Sequence, residues 1–199
     1  AVHLPRGGMP ALGDNPLFLG CADYRSTIAS NAESSGFTFP EEMRRHADKG
    51  TALVTDKDPG DAEIAEVVSQ AAAHSCIVLG TYNGHILQGQ LRLAKALAAT
   101  GLPMILVALR NPYDLRNMPD HVAALAGWEY TRPLFDALWP VLNGTARPTG
   151  KLPLLVTNAG QGPGGKMGRL QIRRAKAVDD LTYNAEPKPE DLVAGGFKT

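Results

Sequence analysis

The residues in this chain that could do chemistry are few and scattered. Four aspartates, Asp23, Asp56, Asp58 and Asp114, fall where apolar runs give way to turn residues. Two carboxylates held roughly 5 to 9.5 Å apart can divide acid, base or nucleophile duties in glycosidic cleavage, but sequence spacing places no two of these at that separation. Turn formation and helix capping are the simpler reading for all four, and Asp61 after Pro59-Gly60 reads as a first-turn helix residue. The histidines, His3, His46, His74, His85 and His121, show no paired helical spacing, so a metal would need ligands gathered from distant segments. His85 follows a strand-end loop and can face a ligand. Cys21 and Cys76 lie in apolar runs without the spacing of a zinc or redox site and read as small core residues. No Gly-x-Gly-x-x-Gly stands between a strand and a helix, and Walker-type and Gly-x-Ser-x-Gly strings are missing. The glycine-rich stretch Gly160 to Gly168 is not followed by a clear helix at the offset a phosphate cradle needs.

Positioning any of these groups falls to an alternation of apolar runs and helical periods. Pro16 to Ala22, Thr51 to Thr55, Ser75 to Leu79 with Gly80 closing it, and Met104 to Leu109 read as buried strands. Helical spacing runs from Asp61 through Ile64, Val67, Val68 and Ala71, then from Leu87 to Leu97 with a Thr100-Gly101 stop, and from Leu134 to Leu142 with an Asn143-Gly144 stop. A weaker helical stretch is expected around Val122, Ala124 and Leu125. Buried strands separated by amphipathic helices imply an α/β fold, a mostly parallel sheet of about five strands with helices on both faces. In such sheets the loops leaving the carboxyl ends of strands line the ligand-facing edge. Here those loops are Ala22 to Arg25, Asp56 to Gly60, Thr81 to Gly84 and Arg110 to Asp114.

A length of 199 residues suits one full-sized domain. Twenty basic residues balance twenty acidic ones, so bulk charge gives no reason to expect nucleic acid or a membrane surface as partner. The longest apolar run, Met104 to Leu109, is far below the roughly 18 residues of a membrane helix. A chain opening at Ala1 without Met is expected to be a processed or excised piece. Beyond Leu155 the alternation fails, and an irregular C-terminal tail is expected, apart from a short helix around Leu170 to Leu181. Its basic cluster, Lys166, Arg169, Arg173, Arg174 and Lys176, reads as a solvated face, with nucleic acid or an acidic partner as the alternative.

Several strings carry a family likeness. Gly80-Thr81-Tyr82-Asn83, Gln90 at a helix opening, Val107 through Leu115 with its Leu-Arg-Asn-Pro-Tyr-Asp-Leu core, and Pro148-Thr149-Gly150-Lys151-Leu152-Pro153 follow one another in this order. The chain resembles the C-terminal α/β sandwich domain of glycoside hydrolase family 3, in its β-N-acetylglucosaminidase branch, over about residues 16 to 155. The resemblance implies a domain that packs on a separate (β/α)8 barrel. The family's aspartate nucleophile, and this branch's Asp-His acid/base pair, would lie on that barrel. Asp120-His121 are adjacent here but fall at an expected helix start after Pro119, and nothing aligns them with that pair.

The resemblance therefore implies an accessory domain of a retaining glycosidase, without catalytic residues of its own and without a metal or cofactor. Asn83, Arg110, Asn111, Tyr113 and Asp114 become candidates for substrate or interdomain rim contacts, beside structural roles as turn, cap and ion pair. The expected organisation is a linker over residues 1–15, the sandwich over 16–155 and the tail over 156–199. The expected partners are the barrel and an N-acetylglucosamine-containing sugar. A stand-alone sugar- or protein-binding module stays open as the alternative, and so does a small-ligand enzyme of flavodoxin-like shape.

Overall fold

The computed structural model describes residues 2–4, 8–23, 36–116 and 118–150, the first three by their backbone alone. The chain divides into two units, Ala1–Thr149 and Gly150–Thr199. The expected tail, its basic cluster, its short helix and the end of the Pro148 to Pro153 string lie outside the described residues, as do Tyr24 and Arg25 of the first strand-end loop.

Eleven elements follow in order: β1 (Val2–Leu4), β2 (Pro16–Cys21), α1 (Phe39–His46), β3 (Thr51–Thr55), α2 (Asp61–Ala71), β4 (Cys76–Thr81), α3 (Gln88–Ala98), β5 (Met104–Ala108), a 3-10 turn (Pro112–Leu115), β6 (Ala123–Ala126) and α4 (Arg132–Leu142). The strands form one sheet in the order β1-β6-β5-β4-β2-β3. β2 to β6 are parallel, and β1 joins β6 antiparallel at the edge. The fold is α/β with a mostly parallel sheet, as the alternation implied. Every residue of β2, β4, β5 and β6 is buried, which is why these strands read as unbroken apolar runs rather than alternating ones.

Register divides the core by face, because successive side chains point to opposite sides of a strand. Phe18 pairs with Val78, Val78 with Ile105 and Ile105 with Ala123. These residues meet α1 and α4 in a cluster containing Phe39, Met43, Tyr130, Phe135 and Leu138. Its rings pack edge to face, Phe39 and Tyr130 standing 5.4 and 5.1 Å from Phe135. The opposite row, with Leu17, Leu19, Ile77, Leu79, Met104 and Leu106, is aliphatic and lies on the side of α2 and α3, whose Val67, Leu93 and Leu97 are equally buried. Each such side chain stabilises the fold by about 1.5–3 kcal/mol.

Local chemistry sets the helix ends. Thr38 caps α1, its hydroxyl accepting from the Glu41 N–H, with Pro40 in the first turn. Thr131 caps α4 in the same way through the Leu134 N–H, with Pro133 behind it. Asp61 and Glu63 lie in the first turn of α2, where negative charge suits the helix dipole.

Three features differ from the sequence pattern. The stretch around Val122, Ala124 and Leu125 is the strand β6, not a helix. Alanine's helix propensity and the three-residue step from Val122 to Leu125 imitate a helical period, but all of residues 122–126 are buried against β5, and tertiary pairing overrides propensity. Asp120 and His121 accordingly lie in a turn before a strand rather than at a helix start, with His121 Nε2 3.1 Å from the Ala98 carbonyl oxygen. Gly80 does not close β4 but lies inside it. A Cβ there would meet Phe39 Cδ1 at 2.4 Å, so glycine is needed for the close approach of α1 to the sheet. Helix α1 and strand β1, which had no counterpart in the sequence reading, complete the fold.

Candidate functional site at the carboxyl edge of the sheet

In β3-β2-β4-β5-β6 the chain reverses direction across the sheet between β2 and β4, where open α/β sheets have their crevice. Protein side chains occupy this position. Phe39 packs on Gly80, and the Tyr130 hydroxyl donates to the Cys21 carbonyl at 2.9 Å while accepting from the Phe39 N–H at 2.7 Å. Burial pushes the Tyr130 phenol above its usual pKa. The same cause raises the Cys21 thiol to about 12, with the nearby Asp114 and Asp23 charges adding to it. Burial also lifts Cys76 to about 11. Both thiols are free and buried core groups, as their apolar setting implied. Thr81, at the end of β4, is fully buried, and its hydroxyl has no partner among the described residues.

One step along the edge, the loops after β4 and β5 lock together. Asp114 is fully buried. Its carboxylate accepts the Gly84 N–H at 2.9 Å and the His85 N–H at 2.7 Å, and His85 Nδ1 stands 3.3 Å from Oδ1. It holds the neighbouring loop rather than capping its own turn. That cap belongs to Asn111, whose Oδ1 accepts from the Tyr113 N–H. Asn111 Nδ2 then donates to Asn83 Oδ1 at 3.1 Å and lies 3.3 Å from His85 Nδ1. Asn83 sits in the left-handed region with φ of 55°, which a short polar side chain tolerates. Asn83, His85, Asn111 and Asp114 thus form one connected network, flanked by Tyr113, whose ring lies 5.7 Å from that of His85. Arg110 is exposed, with its guanidinium 5.9 Å from the centre of the Tyr82 ring.

Gln90 continues the network inward. Its amide accepts from the Tyr82 N–H and donates to the Tyr82 and Lys57 carbonyls, joining the loops after β3 and β4. Asp58 accepts the Gly89 N–H at the start of α3. A Cβ on Gly89 would come within 2.5 Å of the Pro59 carbonyl oxygen, so glycine lets the two loops touch. The Asp56 N–H is taken by Glu63. Asp58 therefore serves the start of α3, a capping role of the kind expected, and Asp23 is buried just after β2. His46 stacks on Trp139 and pairs with Asp136, and His74 Nδ1 lies 3.2 Å from the Asn15 carbonyl oxygen. His3 is in β1. Among the described residues no three His, Cys, Asp or Glu side chains gather as a metal site, and no helix is long and apolar enough to cross a membrane.

Two exposed apolar residues on this edge escaped the sequence reading. Ile86 follows β4 with 63% of its surface exposed. Trp128 follows β6 with φ of 73°, an uncommon conformation for a bulky side chain. The only signal for Trp128 was an aromatic residue in a glycine-flanked connection.

No protein-family profile and no curated protein matches this sequence. Solved structures do. A family 3 β-N-acetylglucosaminidase from Paenibacillus sp. str. FPU-7 superposes with a TM-score of 0.68 at 23% identity, over 78% of this chain and 30% of that one. The chain has the fold of a family 3 glycoside hydrolase domain. A fungal multi-domain family 3 β-N-acetylglucosaminidase gives a TM-score of 0.60 at 18% identity, over 79% of this chain and 18% of its own. A Listeria innocua β-glucosidase gives 0.58 at 15%, over 78% and 25%. The chain thus spans less than a third of each of these three enzymes.

Proposed function

We propose that this chain is the C-terminal accessory domain of a family 3 β-N-acetylglucosaminidase, where it supports a (β/α)8 catalytic barrel and shapes the entrance to its active site. The observation that carries this reading is the asymmetry of coverage: 78% of this chain superposes on 30% of the Paenibacillus enzyme. In this proposal the reaction belongs to the assembled protein. A barrel aspartate attacks the anomeric carbon of a terminal N-acetylglucosamine, and this domain supplies rim groups rather than the nucleophile.

The network at the ends of β4 and β5 suits that role. Asp114 and Asn111 fix the backbone of the Asn83 to His85 loop, and a fixed loop is what a rim contact requires. Arg110 and Tyr113 project from the second loop as the polar and aromatic members of the rim. Ile86 and Trp128 give the same edge an apolar component for docking.

The test is hydrolysis of a chromogenic N-acetyl-β-glucosaminide by the purified chain, alone and mixed with a separately expressed family 3 barrel. No turnover alone, with activity gained on mixing, is the expected result, and Trp128→Ala should weaken association of the two pieces. Turnover by this chain alone would overturn the proposal. Failure of the two pieces to associate would favour the stand-alone module.

A further inference from the structure

We infer that the chain carries an anion-binding cleft between α3 and the 3-10 turn, able to hold a monosaccharide-sized ligand through one carboxylate or phosphate group. The cleft has a volume of about 460 Å³ and is lined by His85, Gln88, Leu91, Lys95, Tyr113 and Arg116. That volume falls within the roughly 300–1,000 Å³ typical of small-molecule sites.

Its charge is one-sided. Lys95 and Arg116 are basic side chains, and none of the six lining residues is acidic. Neither cation takes part in an ion pair among the described residues. The Arg116 guanidinium stands 5.6 Å from the centre of the Tyr113 ring, which limits the orientations of its planar fork before a ligand arrives. Its Nε is buried with no partner among the described residues, and a buried donor gains from an acceptor brought by a ligand.

The back wall is equally prepared. His85 Nδ1 is held against Asp114 and Asn111, which leaves Nε2 as the ring nitrogen able to face the cleft. Tyr113 is set by its own N–H on Asn111 and offers a ring face beside the charged groups. Gln88 is exposed at the start of α3 and adds a neutral amide. A terminal oxyanion can therefore meet Arg116 and Lys95 while the body of the ligand lies along Tyr113. This arrangement belongs to the chain itself and does not depend on a barrel.

The experiment is NMR titration of the full isotope-labelled chain at neutral pH with glucose 6-phosphate, glucuronate, inorganic phosphate and glucose. Saturable shifts of His85 and Arg116 signals are expected with at least one anionic sugar, at an affinity about tenfold or more above that of glucose. The two anionic sugars separate a phosphate site from a carboxylate site. Inorganic phosphate binding as tightly as the anionic sugars would overturn the sugar-sized ligand. Lys95→Gln, an exposed position, and Arg116→Gln should each weaken binding about fivefold or more. Lys49→Gln, outside the cleft, should leave it unchanged. Equal binding of glucose, shifts that do not saturate, or affinity unaffected by Lys95→Gln would overturn the proposal.

Discussion

The two edges of the sheet meet the same demand, closing backbone connections over strand ends, by opposite means. At the amino edge the closures are shallow. Ser75 Oγ accepts from the Asn15 N–H and donates to the Leu12 carbonyl, and Asn15 Nδ2 donates to the Ala73 carbonyl. Lys49 forms an exposed ion pair with Asp14, and its hydrogen bond holds that carboxylate below the usual pKa. At the carboxyl edge a fully buried carboxylate and a buried amide join loops from three strands. Ordinary turns need no such expense, because a buried charge is tolerated only when its hydrogen bonds are complete. The difference marks the carboxyl edge as the one where loop positions are fixed by buried polar groups and the amino edge as the one closed by ordinary turns.

The largest expected effect that could break this contrast comes from Asp114→Ala. It strands the buried Gly84 N–H and the half-buried His85 N–H, and the urea midpoint should fall by the equivalent of about 3 kcal/mol. A loss no greater than that of an exposed position would refute the view of Asp114 as the keystone. Gln90→Ala removes the amide that spans the β3 and β4 loops, and about 2 kcal/mol should disappear in the same measurement.

The thiols compare the edges directly, since Cys21 ends β2 and Cys76 begins β4. Their folded pKa values, raised from 9.0 to about 12 and about 11, favour the protonated thiol in the fold. Their contribution is therefore intact below pH 9.0 and is lost as pH climbs toward about 11 for Cys76 and about 12 for Cys21. At about pH 10 each should cost roughly 1 kcal/mol, and Cys21→Ser should flatten that slope in alkaline unfolding curves. The smallest effect belongs to the amino edge. Ser75→Ala should cost under about 1 kcal/mol, and a value matching Gln90→Ala would erase the distinction between the edges.

Long apolar runs made β2, β4 and β5 legible, because full burial on both faces leaves a continuous signature; the partly exposed β3 was legible from the turn residues that bound it. β6 was hidden by its alanines, whose helix propensity points away from the buried strand they form. α1 was legible in principle: Thr38 and Glu41 have the spacing of a capping box with Pro40 between them, the Thr38 hydroxyl taking the Glu41 N–H and donating to the Glu41 carboxylate, yet its mean character is polar and the amphipathic stripe is short. At the site, the Asn111-Pro112 turn and the importance of Asp114 could be read locally. Its true partners, Gly84 and His85, are about thirty residues away, and only the register of β4 against β5 brings them near. Lys95 and Arg116 left no sequence signal, since isolated basic residues are ordinary until a fold sets them around one cavity.

The Tyr130 hydroxyl has a consequence for how this architecture can diversify. It grips the chain at Cys21 and again at Phe39, and Ala22 bridges to Thr38 beside it. The two ends of the connection from β2 to α1 are thus held side by side. Lengthening it costs only the logarithmic entropy of a longer loop, about 0.6 kcal/mol per doubling, and disturbs no strand register. The phenol makes this position a socket into which evolution, or an engineer, can graft new sequence beside the carboxyl edge while the sheet stays as it is.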